Sequence, residues 1–179
     1  MFFIQDRDGL PDRYVGYIKT KYQNHGLDVS ILGRHEVENY LLDGKIIRAA
    51  LNGKGMDVSL KDCRVLLVRA AESIQAETRG DIRRKCKQVN HFCDNPDNLN
   101  DNAVEAEVDQ WFDSLMLNEE TVLRVFLGKE LLKTLRNFVA EQYAVDIREP
   151  DLRDVLTKNR LSDDIKTIFK QTAQEKENP

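Results

Sequence analysis

Phe2-Phe3-Ile4-Gln5-Asp6-Arg7-Asp8-Gly9-Leu10-Pro11 opens the chain with a short apolar run that ends in Asp-x-Asp and a Gly-Leu-Pro break. The run predicts a buried strand. Side chains alternate faces along a strand, so the pattern puts Asp6 and Asp8 on one side. Two carboxylates one pleat apart can share a hard cation, because magnesium takes oxygen ligands. Such sites lie at the C-terminal ends of strands in α/β sheets. Taken alone, the pair also fits a polar turn after a strand, and the rest of the chain has to decide between the two.

The next segments extend the pattern. Pro11 sets a helix start, and Tyr14, Tyr17, Ile18 and Tyr22 recur near helical spacing until His25-Gly26. Residues 27–32 are β-rich and end at Gly33, which predicts a second strand. Strand, helix and strand over about thirty residues make a βαβ unit with a parallel pair. A parallel sheet normally has earlier strands feeding its central ones, so a chain that begins on this strand reads as part of a larger α/β unit. Arg34-His35-Glu36-Val37-Glu38-Asn39-Tyr40-Leu41-Leu42-Asp43 follows, with Val37, Tyr40 and Leu41 on one helical face. On a helix Glu36 and Glu38 stand about 200° apart and only one could face a shared metal. On extended backbone both could, and as solvated charges neither would.

Beyond this point the pattern is mainly helical. A short helical piece over 44–55 ends in Gly53-Lys54-Gly55, which reads as a turn rather than a phosphate loop. Ser59 with Asp62 forms a capping-box signature for a helix striped with Cys63, Leu67, Ala70 and Ile74. That helix continues or restarts past Gly80 to about Phe92 and carries Arg79, Arg83, Arg84, Lys85 and Lys87. Such a run is usually a solvated face, but here it is the only strongly basic patch and the candidate contact for a nucleic-acid backbone. After an Asn/Asp/Pro loop, Asp101 or Asn102 caps a helix over 103–117. From Asp94 to Leu123 there is no Lys or Arg, so this acidic surface is expected to face away from the basic one. Residues 121–127 read as a third strand, 130–143 as a helix, and 151–156 and 162–172 as two tail helices, with 173–179 frayed.

Composition narrows the class. The chain has 179 residues, 32% charged and 41% apolar, which suits a soluble domain with much helix. The net charge of −4 argues against a broadly basic nucleic-acid coat but allows a local basic groove. Cys63, Cys86 and Cys93 are odd in number and lack C-x-x-C spacing, as expected of reduced thiols in a cytoplasmic protein without a zinc site. No apolar run reaches transmembrane length and no signal peptide opens the sequence. The expected fold class is therefore α/β: a partial, Rossmann-like parallel sheet with a mostly helical C-terminal half. Residues 1–58 would carry the βαβ segment and 59–179 a helical extension with the returning strand.

Phe-Ile-x-Asp-Arg-Asp-Gly followed by Arg-His-Glu-Val-Glu-Asn-Tyr-Leu-Leu resembles the Toprim nuclease domain of the overcoming-lysogenization-defect (OLD) family. The motifs that carry the likeness lie in residues 2–43, and Gly128-Lys129-Glu130-Leu131-Leu132 resembles a further family segment. The resemblance implies a metal-dependent DNA endonuclease, usually fused to an ABC-type ATPase and found in antiphage defence. It implies Asp6 and Asp8 as a metal-binding pair, Glu36 and Glu38 as the second acidic motif, and Mg²⁺ or Mn²⁺ as cofactor. Glu38 would be the better second metal position, Lys129 a catalytic lysine and Arg34 a phosphate contact. His35 stands where the family pattern has Arg. The family also has a catalytic glutamate on an earlier strand, and this chain has no counterpart to it, so weak cleavage is expected from the chain alone. No G-x-x-x-x-G-K-[ST] motif occurs, so the ATPase would be a partner in cis or in trans.

Two other readings compete. The chain could be a non-catalytic assembly module of a split nuclease, its helical half packing on a partner or on a second copy. Haloacid-dehalogenase-like phosphatases also begin with an apolar strand and Asp-x-Asp-Gly, making Asp6 a nucleophile and Asp8 an acid/base. That reading needs a later acidic pair after a strand, and Asp163-Asp164 follows Lys158-Asn159-Arg160-Leu161, which is no strand pattern.

Overall fold

The computed structural model describes residues 2–94, 96–156, 163 and 165–167. Strand β1 (Phe2–Gln5), helix α1 (Asp12–Asn24) and strand β2 (Asp28–Ile31) form the expected unit. The strands pair in parallel, with Phe2 opposite Asp28 and Gln5 opposite Ile31. A 3-10 turn over Val37–Tyr40 leads into α2 (Gly44–Gly53), then α3 (Leu60–Ser73), α4 (Gln75–Phe92), α5 (Asp101–Asp113), α6 (Glu119–Val125), α7 (Gly128–Tyr143) and α8 (Glu149–Asp154). The described chain is thus mostly helical, with one two-stranded parallel sheet. No helix among the described residues is long and apolar enough to cross a membrane.

Local signals account for most boundaries. Asp43 caps α2 by accepting from the Lys45 N–H at 2.9 Å. The Ser59–Asp62 capping box is present at the start of α3. Ile74, whose backbone leaves helical geometry, separates α3 from α4, and α4 then runs straight through Gly80, where nothing crowds the missing side chain. Asn100, rather than Asp101 or Asn102, caps α5 through the Ala103 N–H at 3.0 Å. Of the second tail helix only Asp163 and 165–167 are described, and they are helical. The frayed end expected at 173–179 and Asp164 of the acidic pair lie outside the described residues.

The expected strand over 121–127 is instead helical through Val125, with Phe126 extended after it. Asn118 accepts from the Thr121 N–H at 3.0 Å, Glu119 and Glu120 fill the first turn, and α6 buries Val122, Leu123 and Val125. A short apolar run does not distinguish strand from helix by periodicity, so the cap decides it. Val37 is a smaller correction: it is exposed, whereas Tyr40 is buried and Leu41 half-buried.

One large core serves most of the described chain, and Leu32 with Tyr40 forms a small second cluster. Leu10, Tyr14 and Ile18 at the βαβ end pack into the same cluster as Ile46 and Leu51 of α2, Leu67 of α3, Cys86 of α4, Val108 of α5 and Leu135 of α7. At about 25 cal/mol per Å² of apolar surface, each fully buried aliphatic side chain there contributes roughly 1.5–3 kcal/mol. The two segments expected at 1–58 and 59–179 share this core, and that sharing lets α4 and α6 reach the C-terminal ends of β1 and β2.

Candidate metal and phosphate site

The strand ends at Gln5, so the pleat does not place Asp8. Asp8 and Gly9 both take left-handed backbone, with φ of 59° and 67°. Asp tolerates this conformation better than most residues, and Gly adopts it freely. The turn is pinned by the Asp8 N–H donating to the His35 carbonyl at 2.8 Å. Gly9 has a second requirement: a Cβ there would stand 2.6 Å from both His35 Nδ1 and the Val125 carbonyl oxygen.

Asp6, Asp8, Glu36 and Glu38 come together electrostatically. Partial burial, then the negative charges of Asp8, Glu36 and Glu38, push the Asp6 carboxyl above its ordinary pKa, with Lys85 acting against them. Both glutamates take part because residue 36 is extended (φ −135°, ψ 166°) before the 3-10 turn begins. Glu36 also has a structural role: its Oε2 accepts from the Gly128 N–H at 3.0 Å. Asn39, fully buried, donates to the Phe126 carbonyl at 2.9 Å, while its Oδ1 accepts from the Glu36 N–H at 3.2 Å. The acidic motif is thereby tied to the α6–α7 junction.

His35 is fully buried. Its Nδ1 lies 2.6 Å from the Val125 carbonyl oxygen, which can only accept, so Nδ1 carries the proton. Burial pushes the imidazole pKa down and nearby Lys85 adds to this, against the Val125 contact and the charges of Glu36 and Asp8. The neutral ring therefore turns its Nε2 lone pair toward Lys85 Nζ, 3.4 Å away.

Lys85 is where the sequence reading departs furthest from the structure. Its ammonium does not face outward as part of a basic patch. It donates to Asp8 Oδ1 at 2.8 Å and lies 2.9 Å from Asp81 Oδ2, an ion pair whose angle falls short of a hydrogen bond. Burial would lower the Lys85 pKa, but the contacts with Asp8 and Asp81 outweigh it and hold it above the usual value. The Asp81-to-Lys85 spacing of one helical turn was visible in the sequence; that the pair aims at Asp8 was not.

The remaining basic residues are also engaged. Arg79 pairs with Asp113, Arg83 Nε donates to Asp109 at 2.7 Å, Arg84 pairs with Asp81, and Lys87 pairs with Glu105. The acidic segment expected to face away is α5, and it lies directly against α4 because three of those bridges join the two helices. Arg34 donates to the Asn39 carbonyl at 2.9 Å and to Asp43 at 3.2 Å, with its guanidinium 4.9 Å from the Tyr40 ring centre. Arg34 still lines a cleft of about 450 Å³ with Arg7 and Arg124. Lys129 touches neither Asp6 nor Asp8. Its side chain is 75% exposed, and its ion pair among the described residues is with Glu38, at 3.7 Å.

The donor set is all oxygen at the four carboxylates, the chemistry a hard divalent cation requires. Among the described residues, however, no three His, Cys, Asp or Glu side chains stand close enough together to hold a metal. A scan against family models, a search of curated proteins and a search of solved structures each found no match to this chain.

Proposed function

We propose that this chain is the carboxylate-bearing part of a divalent-metal-dependent DNA endonuclease, of the kind its Asp-x-Asp and Arg-x-Glu-x-Glu-Asn-Tyr motifs resemble in OLD-family Toprim domains. The observation that carries this is the placement of Asp6, Asp8, Glu36 and Glu38 beyond the C-terminal ends of two parallel strands, where burial first, and then the charges of the other three acids, raise the Asp6 pKa. Like charges placed together at such a cost commonly mark a functional site. Asp6, Asp8 and Glu38 would hold Mg²⁺ or Mn²⁺, with Glu36 shared between metal and the Gly128 N–H. When bound, the cation would supply an activated water and neutralise the leaving oxygen of a phosphodiester. Lys129, long, exposed and beside Glu38, is free to turn toward a bound phosphate, and Arg34 lines a neighbouring cleft. An ABC-type ATPase in cis or in trans would be the partner.

The test is plasmid nicking with Mn²⁺, comparing the chain with its Asp8→Ala variant, each with and without an ABC-type ATPase. Metal-dependent nicking that is abolished by Asp8→Ala is the expected result. Robust nicking retained in Asp8→Ala would place the active site elsewhere.

A second reading, a non-catalytic assembly module, is favoured by one observation. Phe3 and Phe92 are 40% and 50% exposed, and Phe3–Tyr22 and Tyr22–Phe92 ring contacts at 6.4 and 6.1 Å join them into an apolar patch beside β1. Stable co-elution with an ABC-type ATPase or with a second copy, without any metal-dependent nicking, would favour that reading.

A further inference from the structure

Asp8 already holds a cation, and it belongs to the protein. The Lys85 ammonium sits among Asp8 Oδ1, Asp81 Oδ2 and His35 Nε2 at 2.8, 2.9 and 3.4 Å. Its side chain is 17% exposed. The arrangement is built rather than incidental. Val125 fixes the His35 tautomer so that Nε2 can accept, and Asp81 stands one helical turn before Lys85 on α4. The left-handed turn at Asp8-Gly9 brings the carboxylate to the ammonium.

Within the divalent-metal reading given above, we infer that Lys85 is an internal competitor for the metal at Asp8: the ammonium and a divalent cation cannot both occupy that carboxylate, so metal entry requires Lys85 to withdraw. Three features make withdrawal feasible. Asp81 remains as a carboxylate partner after Asp8 is released, because it lies on the same helix. His35 Nε2 is the most distant of the three partners, at 3.4 Å, and therefore holds the ammonium least. The Lys85 stem lines a cleft of about 270 Å³ shared with Asp8, Gln88 and Phe92, which gives the side chain room to move. In this arrangement the Asp8 carboxylate is occupied by the ammonium rather than open to a cation. An exchange of this kind keeps the site closed at low metal concentration and keeps the four acids from repelling one another while it is closed.

The test is Mn²⁺ binding by the full chain, read by electron paramagnetic resonance of free Mn²⁺ and by calorimetry, without any nuclease assay. Lys85→Met keeps the length and apolar stem but removes the charge, and should bind Mn²⁺ at least about tenfold more tightly than the parent, since a positive charge within about 4–6 Å of a carboxylate opposes cation binding there. Lys85→Arg keeps the charge and should stay weak, and Asp8→Asn should lose binding in either background. A purely structural role for Lys85 would not tighten binding. A second measurement needs no variant: amine-reactive labelling of the parent chain, read by mass spectrometry, should increase at Lys85 when Mn²⁺ is added. Unchanged or weaker binding in folded Lys85→Met, or unchanged Lys85 labelling under Mn²⁺ that binds through Asp8, would overturn the exchange and leave the metal reading standing. Absence of Asp8-dependent Mn²⁺ binding in all three lysine backgrounds would overturn the metal reading itself.

Discussion

His35 Nδ1 donates to the Val125 carbonyl oxygen at 2.6 Å, a bond spanning ninety positions that fastens the loop after β2 to the last residue of α6. The His35 N–H donates to the Leu123 carbonyl at 3.1 Å and its own carbonyl accepts from Asp8, so one residue joins both strand ends to the helix. The family pattern resembled by this stretch has Arg at the equivalent place; here the residue forms part of the buried framework.

Gly9 lies in the middle of this framework. Gly9→Ala should destabilise the chain by roughly 2–4 kcal/mol, combining a left-handed backbone with a Cβ that meets His35 and the Val125 carbonyl. Urea unfolding with a fixed m-value measures it. A loss below about 1 kcal/mol would show that the ring and carbonyl relax freely and are not wedged against Gly9.

Asn39 and Glu36 should act as a unit. Asn39→Ala leaves the Phe126 carbonyl without its side-chain donor and the Glu36 N–H without its acceptor, at roughly 1–3 kcal/mol for each buried group left unpaired. Glu36→Gln weakens the bond to the Gly128 N–H. A double-mutant cycle should give non-additive losses, and additivity within experimental error would show that the two contacts are independent.

Asp6 supplies a pH signature. Its folded-state pKa is raised, by burial and by its acidic neighbours, above the value in the unfolded chain. The ionised form is therefore the disfavoured one. The cost is absent below the unfolded pKa, grows as pH rises through the folded pKa, and is full at neutral pH. Asp6→Asn should accordingly stabilise the chain at pH 7 and make little difference at strongly acidic pH. Melting temperatures across that range decide it, and equal effects at both ends would contradict the electrostatic cause.

The α4–α5 ion pairs predict how nucleic-acid binding would respond to charge. Arg79, Arg83 and Lys87 are neutralised by Asp113, Asp109 and Glu105. The triple variant Glu105→Gln/Asp109→Asn/Asp113→Asn should bind duplex DNA more tightly at low salt than the parent, with a steeper salt dependence, because three cations become available for phosphates. Gel shifts at several salt concentrations test this, and unchanged binding would mean that α4 is covered in some other way. Each exposed bridge by itself should contribute no more than about 1 kcal/mol to stability.

Local sequence settled much of the architecture. The apolar run and Gly-Leu-Pro break marked β1, although its Phe3 and Ile4 are exposed rather than buried as expected; the tyrosine spacing marked α1 over its full length, and Ser59 with Asp62 marked the start of α3. These signals are legible because strand pleat, helical period and capping are satisfied by residues a few positions apart. Asp6, Asp8, Glu36 and Glu38 were named together from the family resemblance; in the structure the other three act on the Asp6 pKa, but no three of the described acids stand close enough together to hold a metal. Only the tertiary structure decided what those acids face. Residues 121–125 became helix because Asn118 caps them and their apolar side is buried. Acidic α5 came to lie on basic α4 because ion pairing depends on which faces pack together, and a one-dimensional charge run does not carry that information. Lys85 became the partner of Asp8, and Lys129 that of Glu38, because α4 and α7 were packed by apolar residues elsewhere on their surfaces. An ammonium at the end of a long side chain goes where its helix is carried, and the helix is positioned by the core it buries.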